Sequence, residues 1–108
     1  MVVADSFDPD TIGGAVADVP ENATAYAHRK ANFSLLAMGS SARRVDRAWA
    51  GLASHVRGIY LSFESSQGPG VLTEAFPPAT LARLRTLKAK YDPANLFRDN
   101  FNITQEGQ

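Results

Sequence analysis

The sequence predicts an α+β fold: a small, mostly antiparallel three-stranded sheet with helices packed on one face. Short apolar or alternating runs at 14–19, 30–38 and 58–64 are typical of strands. Runs with helical spacing follow the second and third of these strands. At 108 residues the chain forms one domain at most. Three strands leave open sheet edges, which favours either a missing part or self-association.

The first part of the chain is expected to form a lead-in and two strands. Residues 1–12 are rich in aspartate and are interpreted as a loop. Gly13-Gly14 then opens an apolar run that Pro20 ends, which predicts the strand 14–19. The glycine pair is interpreted either as a turn or as a place where the backbone approaches a ligand closely.

The region 42–56 is predicted to be an amphipathic helix. Ser41 is well placed as its N-cap, and Gly58 is expected to end it. Trp49 is interpreted as a core anchor of this helix, and His55 as a structural or exposed residue near its C-terminal end. The apolar stripe that predicts the helix consists of Val45, Trp49, Leu52 and Val56.

The third predicted strand, 58–64, alternates most clearly. Its apolar residues would face the helices, while Tyr60, Ser62 and Glu64 would share the opposite face. That polar face would be solvated in an isolated domain, whereas in a larger enzyme a substrate could lie against it.

The C-terminal part is predicted to be helical and then to stop sharply. A short helix at 71–76 precedes Pro77-Pro78, and a longer helix runs to Tyr91 before Asp92-Pro93 ends it. Leu96 and Phe97 are expected to pack back onto the body. The tail that follows alternates amide and apolar residues, so Asn100 and Asn102 would face one way.

Composition excludes several kinds of function. The formal net charge is zero, from 11 basic and 11 acidic residues, which argues against nucleic-acid or anionic-membrane partners. The absence of cysteine excludes thiolate chemistry and disulfides within this chain. Met1–Ser6 lacks signal-peptide features, and no run reaches the roughly 20 apolar residues that span a bilayer. A cytoplasmic location is therefore the expectation.

No catalytic motif stands out from the residues alone. The sequence lacks a dinucleotide-binding glycine fingerprint, a P-loop and a zinc-protease motif. His28 and His55 lie far apart without matching carboxylates, so no metal site is predicted. Tyr60 could act as a general base only if cations or hydrogen bonds to its phenolate lowered its pKa from about 10.

Three blocks in the same order nevertheless resemble one family. They are the run 13–20 with Ala23–Arg29, the tetrapeptide Tyr60-Leu61-Ser62-Phe63, and the closing stretch 83–103. Together they are similar to the C-terminal region of berberine-bridge-type FAD-linked oxidases, of the vanillyl-alcohol-oxidase superfamily. The resemblance covers about residues 12–103, which implies that 13–103 is part of a substrate-binding domain and that 104–108 is a tail.

The resemblance also implies site residues and partners. It implies an FAD-dependent oxidation of an alcohol, sugar or alkaloid-type substrate, with hydride transfer to flavin and O2 as the acceptor. Tyr60 would be catalytic, taking the proton of a substrate hydroxyl. Asn100 and Asn102 would lie at the cofactor. The wall of the active site would comprise Gly13, Gly14, His28, Arg29 and Ser62.

Departures from the family pattern limit what this chain can do alone. Ser62 stands where the family has asparagine, and the FAD-binding domain is absent from these 108 residues. The chain is therefore expected to need an FAD-binding domain in cis or trans. One alternative is a non-enzymatic α+β domain that forms a homodimer through its sheet. Another is an independent small-molecule-binding module that uses the Tyr60 face.

Overall fold

The structure, a computed structural model, describes residues 6–11, 13–68 and 70–104. It contains two strands and three α-helices, joined by loops and by short 3-10 turns. The turns lie at Gly14–Val16, Ala53–His55 and Leu61–Phe63. The regular elements are β1 (Ser6–Thr11), β2 (Phe33–Met38), α1 (Ala42–Ala50), α2 (Val71–Ala75) and α3 (Pro78–Tyr91).

β1 and β2 form an antiparallel ribbon, in which Ser6 pairs with Met38 and Thr11 with Phe33. The loop predicted for 1–12 is therefore wrong at 6–11, and its other residues, 1–5 and 12, lie outside the described part. Pro9 made this strand hard to recognise. It is tolerated because both strands of a two-stranded ribbon are edge strands, where a missing backbone N–H need not break a ladder.

The predicted three-stranded sheet is wrong. Gly14 has φ +56°, and Ala17 N–H donates to Gly14 O at 3.0 Å, so the first predicted strand becomes a 3-10 turn. At 58–64, Gly58 adopts φ +77° and Glu64 N–H closes a second turn on Leu61 O at 3.2 Å. A strand requires a neighbouring ladder, and these two runs satisfy backbone groups locally instead. Within the described ranges the sheet has two strands.

The predicted and observed helices agree more closely toward the C-terminus. α1 ends at Ala50, not near Val56, because the chain turns at Gly51 and Leu52 N–H donates to Trp49 O at 2.7 Å. Ser41 occupies the N-cap position without a side-chain capping hydrogen bond. The predictions for α2 and α3 are confirmed to within one residue, and these two helices contact each other.

The core is small for a chain of this length. Among the residues whose burial the structure describes, five apolar ones are buried: three are alanines, and the other two are Val45 and Leu81. The radius of gyration is 15.4 Å, against about 13 Å for a compact domain of this size. Leu96 and Phe97, predicted to pack back onto the body, are instead 74% and 82% exposed. Large apolar side chains thus lack a covering layer within the described chain.

No helix in the described ranges combines the length and the apolar character needed to cross a bilayer. Of the tail predicted at 104–108, only Thr104 is described, and the remainder lies outside the described residues.

Candidate functional site

A cavity of about 700 Å³ lies between the loop that leads into β2 and the segment that follows α1. Tyr60 and His28 line it, and so does the half-buried Trp49, which the sequence had suggested as a core anchor. His55 is exposed and also borders the cavity. The remaining aromatic contributions come from Tyr26 and Phe33. The volume falls in the range of about 300–1,000 Å³ that small-molecule sites occupy.

Tyr60 reaches this cavity from an extended residue just before the Leu61–Phe63 turn. Its side chain is half exposed, at 51% for the residue. The Tyr26 ring meets it edge to face, with ring centroids 5.9 Å apart and an interplanar angle of 88°. Aromatic pairs prefer this geometry because the positive edge of one ring faces the negative face of the other.

Arg29 holds Tyr26 at two points. Its Nε donates to Tyr26 O at 3.1 Å, and its guanidinium carbon lies 5.1 Å from the Tyr26 ring centroid. Its Nη2 donates to Thr24 Oγ1 at 2.7 Å, which closes a short loop around the tyrosine. Arg29 itself is not among the residues that line the cavity. Its structural effect on the site is therefore exerted through Tyr26.

His28 links this loop to α2. Its Nε2 lies 3.1 Å from Ala75 O, and since a carbonyl only accepts, Nε2 carries the hydrogen of this bond. The His28 ring also meets Tyr26 edge to face, with centroids 5.7 Å apart. Gly58 packs directly against the imidazole, and a Cβ at that position would overlap the ring. Gly58 therefore supplies both a left-handed turn and the space that His28 fills.

The structure brings together only some of the residues proposed from sequence. Tyr60 and His28 share the cavity, whereas Ser62 is exposed in the adjacent turn and does not line it. Gly13 and Gly14 are exposed, with open space where a Cβ would stand. Their roles in an active-site wall remain predictions. The described residues contain no group of three or more His, Asp or Glu side chains placed to hold a metal ion.

Two residues that organise the cavity were missed from the sequence, Tyr26 and Gly58. Tyr26 was part of the block Ala23–Arg29 that contributes to the family resemblance, but it was given no role of its own. Gly58 was interpreted as a helix end. Both roles depend on contacts between distant parts of the chain, which local periodicity cannot detect.

A second well-defined structure follows α3, and we call residues 92–97 the closing turn. Leu96 N–H donates to Asp92 Oδ1 at 2.8 Å, and Phe97 N–H donates to Asp92 Oδ2 at 3.0 Å. Lys88 Nζ donates to Asp92 Oδ2 and also to Phe97 O, the latter at 2.7 Å. Hydrogen bonding from Lys88 is the main cause that lowers the pKa of Asp92 below its ordinary value of 3.8. The turn thus presents Leu96 and Phe97 outward on a hydrogen-bonded frame.

The tail after the closing turn contains the two amides predicted to lie at a cofactor. Asn102 is half-buried, and its Oδ1 is buried without a hydrogen-bond partner among the described residues. Asn100 is exposed. Neither lines the cavity at Tyr60. A buried amide oxygen without a donor costs free energy, but Asn95 Oδ1 in the closing turn is in the same state, so this feature does not single out Asn102. The cofactor roles of Asn100 and Asn102 remain predictions.

Comparison with known proteins identifies the C-terminal segment. Residues 73–104 match the family described as berberine and berberine like. This segment is similar to the berberine-bridge type. It contains the end of α2, all of α3, the closing turn and Asn102, so the family resemblance is confirmed for this part of the chain.

A longer match extends beyond that segment. The chain is 37% identical over 68 residues to (R)-6-hydroxynicotine oxidase from Paenarthrobacter nicotinovorans. The match takes in 61% of this chain and 15% of that oxidase, so the chain spans about 15% of the length of the relative. Because the match is longer than the segment 73–104, the likeness to an oxidase does not rest on that segment alone.

Proposed function

We propose that this chain is the C-terminal part of the substrate-binding domain of an FAD-linked oxidase, and that it works only together with an FAD-binding domain in cis or trans. The observation that carries this proposal is the berberine-type match at 73–104. The small core and the outward Leu96 and Phe97 support it, because exposed apolar surface of this kind marks a site of contact with another part.

Within this proposal Tyr60 takes the proton of a substrate hydroxyl. FAD, when bound, supplies the hydride acceptor, and O2 is the final electron acceptor. The cavity at Tyr60 can hold a small alcohol, a sugar unit or an alkaloid-type molecule by volume. His28 would wall the cavity, and Asn102 would donate to or accept from the cofactor's polar edge. Asn100, Gly13, Gly14, Arg29 and Ser62 remain parts of the proposed site with less support from the geometry.

The dependence on a second domain can be tested with the purified chain. We expect the chain alone to lose FAD on gel filtration, because Asn100 and Asn102 would supply only a small part of the cofactor contacts and the proposed FAD-binding domain would supply the rest. The chain co-expressed with the FAD-binding domain of the matched oxidase should retain yellow flavin in a single complex. Stoichiometric flavin and oxidase turnover from this chain alone would overturn the proposed dependence.

Tyr60→Phe tests the catalytic role in the assembled oxidase. Loss of the phenolic oxygen should lower turnover by about 10²–10⁴-fold, the usual contribution of a general base. Tyr91→Phe is the matched control, since Tyr91 is 72% exposed on α3 and lies away from the cavity. Equal turnover in the Tyr60 variant and the control would remove Tyr60 from this role.

The homodimer and the free-standing binding module are not carried forward. The homodimer relied on a three-stranded sheet, and the binding module relied on a polar strand face at 58–64. That segment forms a left-handed residue and a 3-10 turn instead.

A further inference from the structure

Tyr26 lies at the centre of a cluster of three rings, its own and those of His28 and Tyr60. Neither the sequence pattern nor the proposed reaction gives Tyr26 a role. It is half-buried and lines the cavity. Its ring meets Tyr60 on one side and His28 on another, both edge to face. Its carbonyl and its ring both contact Arg29. A residue with contacts on this many sides is itself fixed, so it can fix a neighbour.

We propose that Tyr26 is the positioning residue that sets the orientation of the Tyr60 ring. Tyr60 lies on an irregular segment and is half exposed, so deep burial does not fix the orientation of its ring. The perpendicular contact with Tyr26 restricts the directions in which the phenol can point. A catalytic group must be held close to its productive geometry, and a displacement of about 1 Å can cost on the order of 100-fold in rate.

The contacts of Tyr26 extend this positioning to the berberine-type segment. Ala75 O, at the end of α2, accepts the hydrogen bond from His28. His28 fills the space above Gly58, two residues before Tyr60, and meets Tyr26. A series of contacts therefore runs from α2, which packs against α3, through the rings of His28 and Tyr26 to Tyr60. The catalytic consequence rests on the proposed function, whereas the geometric claim stands on the chain alone.

The geometric claim is tested by NMR of the chain carrying ¹³C-labelled tyrosine rings. The three tyrosines give three sets of ring signals, and Tyr60→Phe assigns those of Tyr60. Tyr26→Leu should move the Tyr60 ring shifts to those of the exposed Tyr91, while Tyr26→Phe, which keeps the ring, should leave them near the original values. Tyr91→Leu is the control and should leave Tyr60 unchanged. Unchanged Tyr60 shifts in a folded Tyr26→Leu chain would overturn the proposal.

If Tyr26→Leu unfolds the chain, a milder variant tests whether Tyr26 orients the Tyr60 ring. Arg29→Gln keeps both tyrosines but removes the guanidinium from the Tyr26 ring. The proposal requires the Tyr26 and Tyr60 signals to move together in this variant. Movement of the Tyr26 signals with fixed Tyr60 signals would overturn it.

Turnover of the assembled oxidase separates this inference from the proposed function. Tyr26→Leu should lower kcat by about 100-fold with a smaller change in KM, and Tyr26→Phe should restore most of the rate. If Tyr60→Phe leaves turnover unchanged while Tyr26→Leu still moves the Tyr60 signals, the catalytic assignment fails and the positioning stands. If Tyr26→Leu lowers turnover as far without moving those signals, the positioning fails.

Discussion

The closing turn and the Tyr60 cluster, which consists of Tyr26, His28, Arg29, Gly58 and Tyr60, are built in opposite ways. In the closing turn, the most distant bonded pair, Lys88 and Phe97, is nine residues apart. In the Tyr60 cluster, the bond between His28 and Ala75 spans 47 residues. The first structure is set almost entirely by local sequence, while the second exists only after loops have closed. The part of this chain that is easiest to recognise is therefore not the part that bears the proposed chemistry.

The two regions also differ in the forces that hold them. Asp92 accepts from two backbone N–H groups and from a lysine, and charge-assisted bonds of this kind are among the stronger ones in proteins. The cluster relies on ring contacts and on one hydrogen bond between distant residues, while Arg29 adds bonds only to the nearby Tyr26 and Thr24. These contacts must also offset the entropy of closing long loops. We therefore expect the cluster to loosen before the closing turn does.

The largest expected effect on stability comes from the buried leucine of α3. Leu81 is 3% exposed on α3 and is one of the few large residues in the core. Leu81→Ala should lower the free energy of unfolding by about 2–5 kcal/mol, as lost burial and a cavity combine. Leu96→Ala is the matched control: because Leu96 is exposed, its substitution should change the free energy of unfolding by no more than about 0.5 kcal/mol. Urea unfolding followed by circular dichroism measures both, and equal losses would show that Leu96 is covered in solution.

A smaller effect is expected when the cluster is disturbed at Gly58. Gly58→Ala puts a Cβ into the His28 ring and also strains a residue at φ +77°. Together these should cost about 1–3 kcal/mol and should reduce the near-ultraviolet signal of the packed tyrosines.

The control for this substitution is Gly70→Ala. Gly70 also has a left-handed φ, +94°, but open space where its Cβ would stand. It carries the backbone strain without the clash, so the difference between the two variants reports the contact with His28. Identical losses would mean that His28 does not pack against Gly58.

The same contrast between local and distant contacts explains which parts of the fold and of the site could be predicted from the sequence. α3 and its stop at Asp92-Pro93 were predictable because helical spacing and proline act over a few residues. The strand predicted at 58–64 was wrong: its alternation is strong, but in the described part of the chain no strand pairs with it. β1 was missed because aspartate and Pro9 mask an edge strand. The contact between Arg29 and Tyr26 could have been predicted, because the two residues are three apart in the sequence, whereas the contact between Tyr26 and Tyr60 could not.

The stability of the closing turn should depend on pH in the acid range. The pKa of Asp92 is lowered in the folded chain, chiefly by Lys88. A lowered folded pKa means that the ionised form contributes stability above the ordinary value of 3.8 and loses it as pH falls through the folded pKa. We expect the melting temperature to fall more steeply below about pH 4 in the wild type than in Asp92→Asn. Asp99→Asn is the control and should follow the wild type, while a parallel fall in all three proteins would exclude Asp92 as the source.

The smallest expected effect compares one hydroxyl from each region. Thr24 Oγ1 accepts from Arg29 at 2.7 Å in the cluster, and Thr86 Oγ1 donates to Ala82 O at 3.1 Å on α3. Thr24→Ala should destabilise the chain by up to about 0.5 kcal/mol, because an exposed bond that steadies Arg29 is lost. Thr86→Ala should stabilise it by a few tenths of a kcal/mol, since alanine is the better helix former and the lost bond is one that weakly opposes a helix. Urea midpoints that shift in opposite directions would show that the hydroxyl bonded to Arg29 stabilises the chain, whereas the hydroxyl bonded back to its own helix does not. A shift of both in the same direction would contradict this expectation.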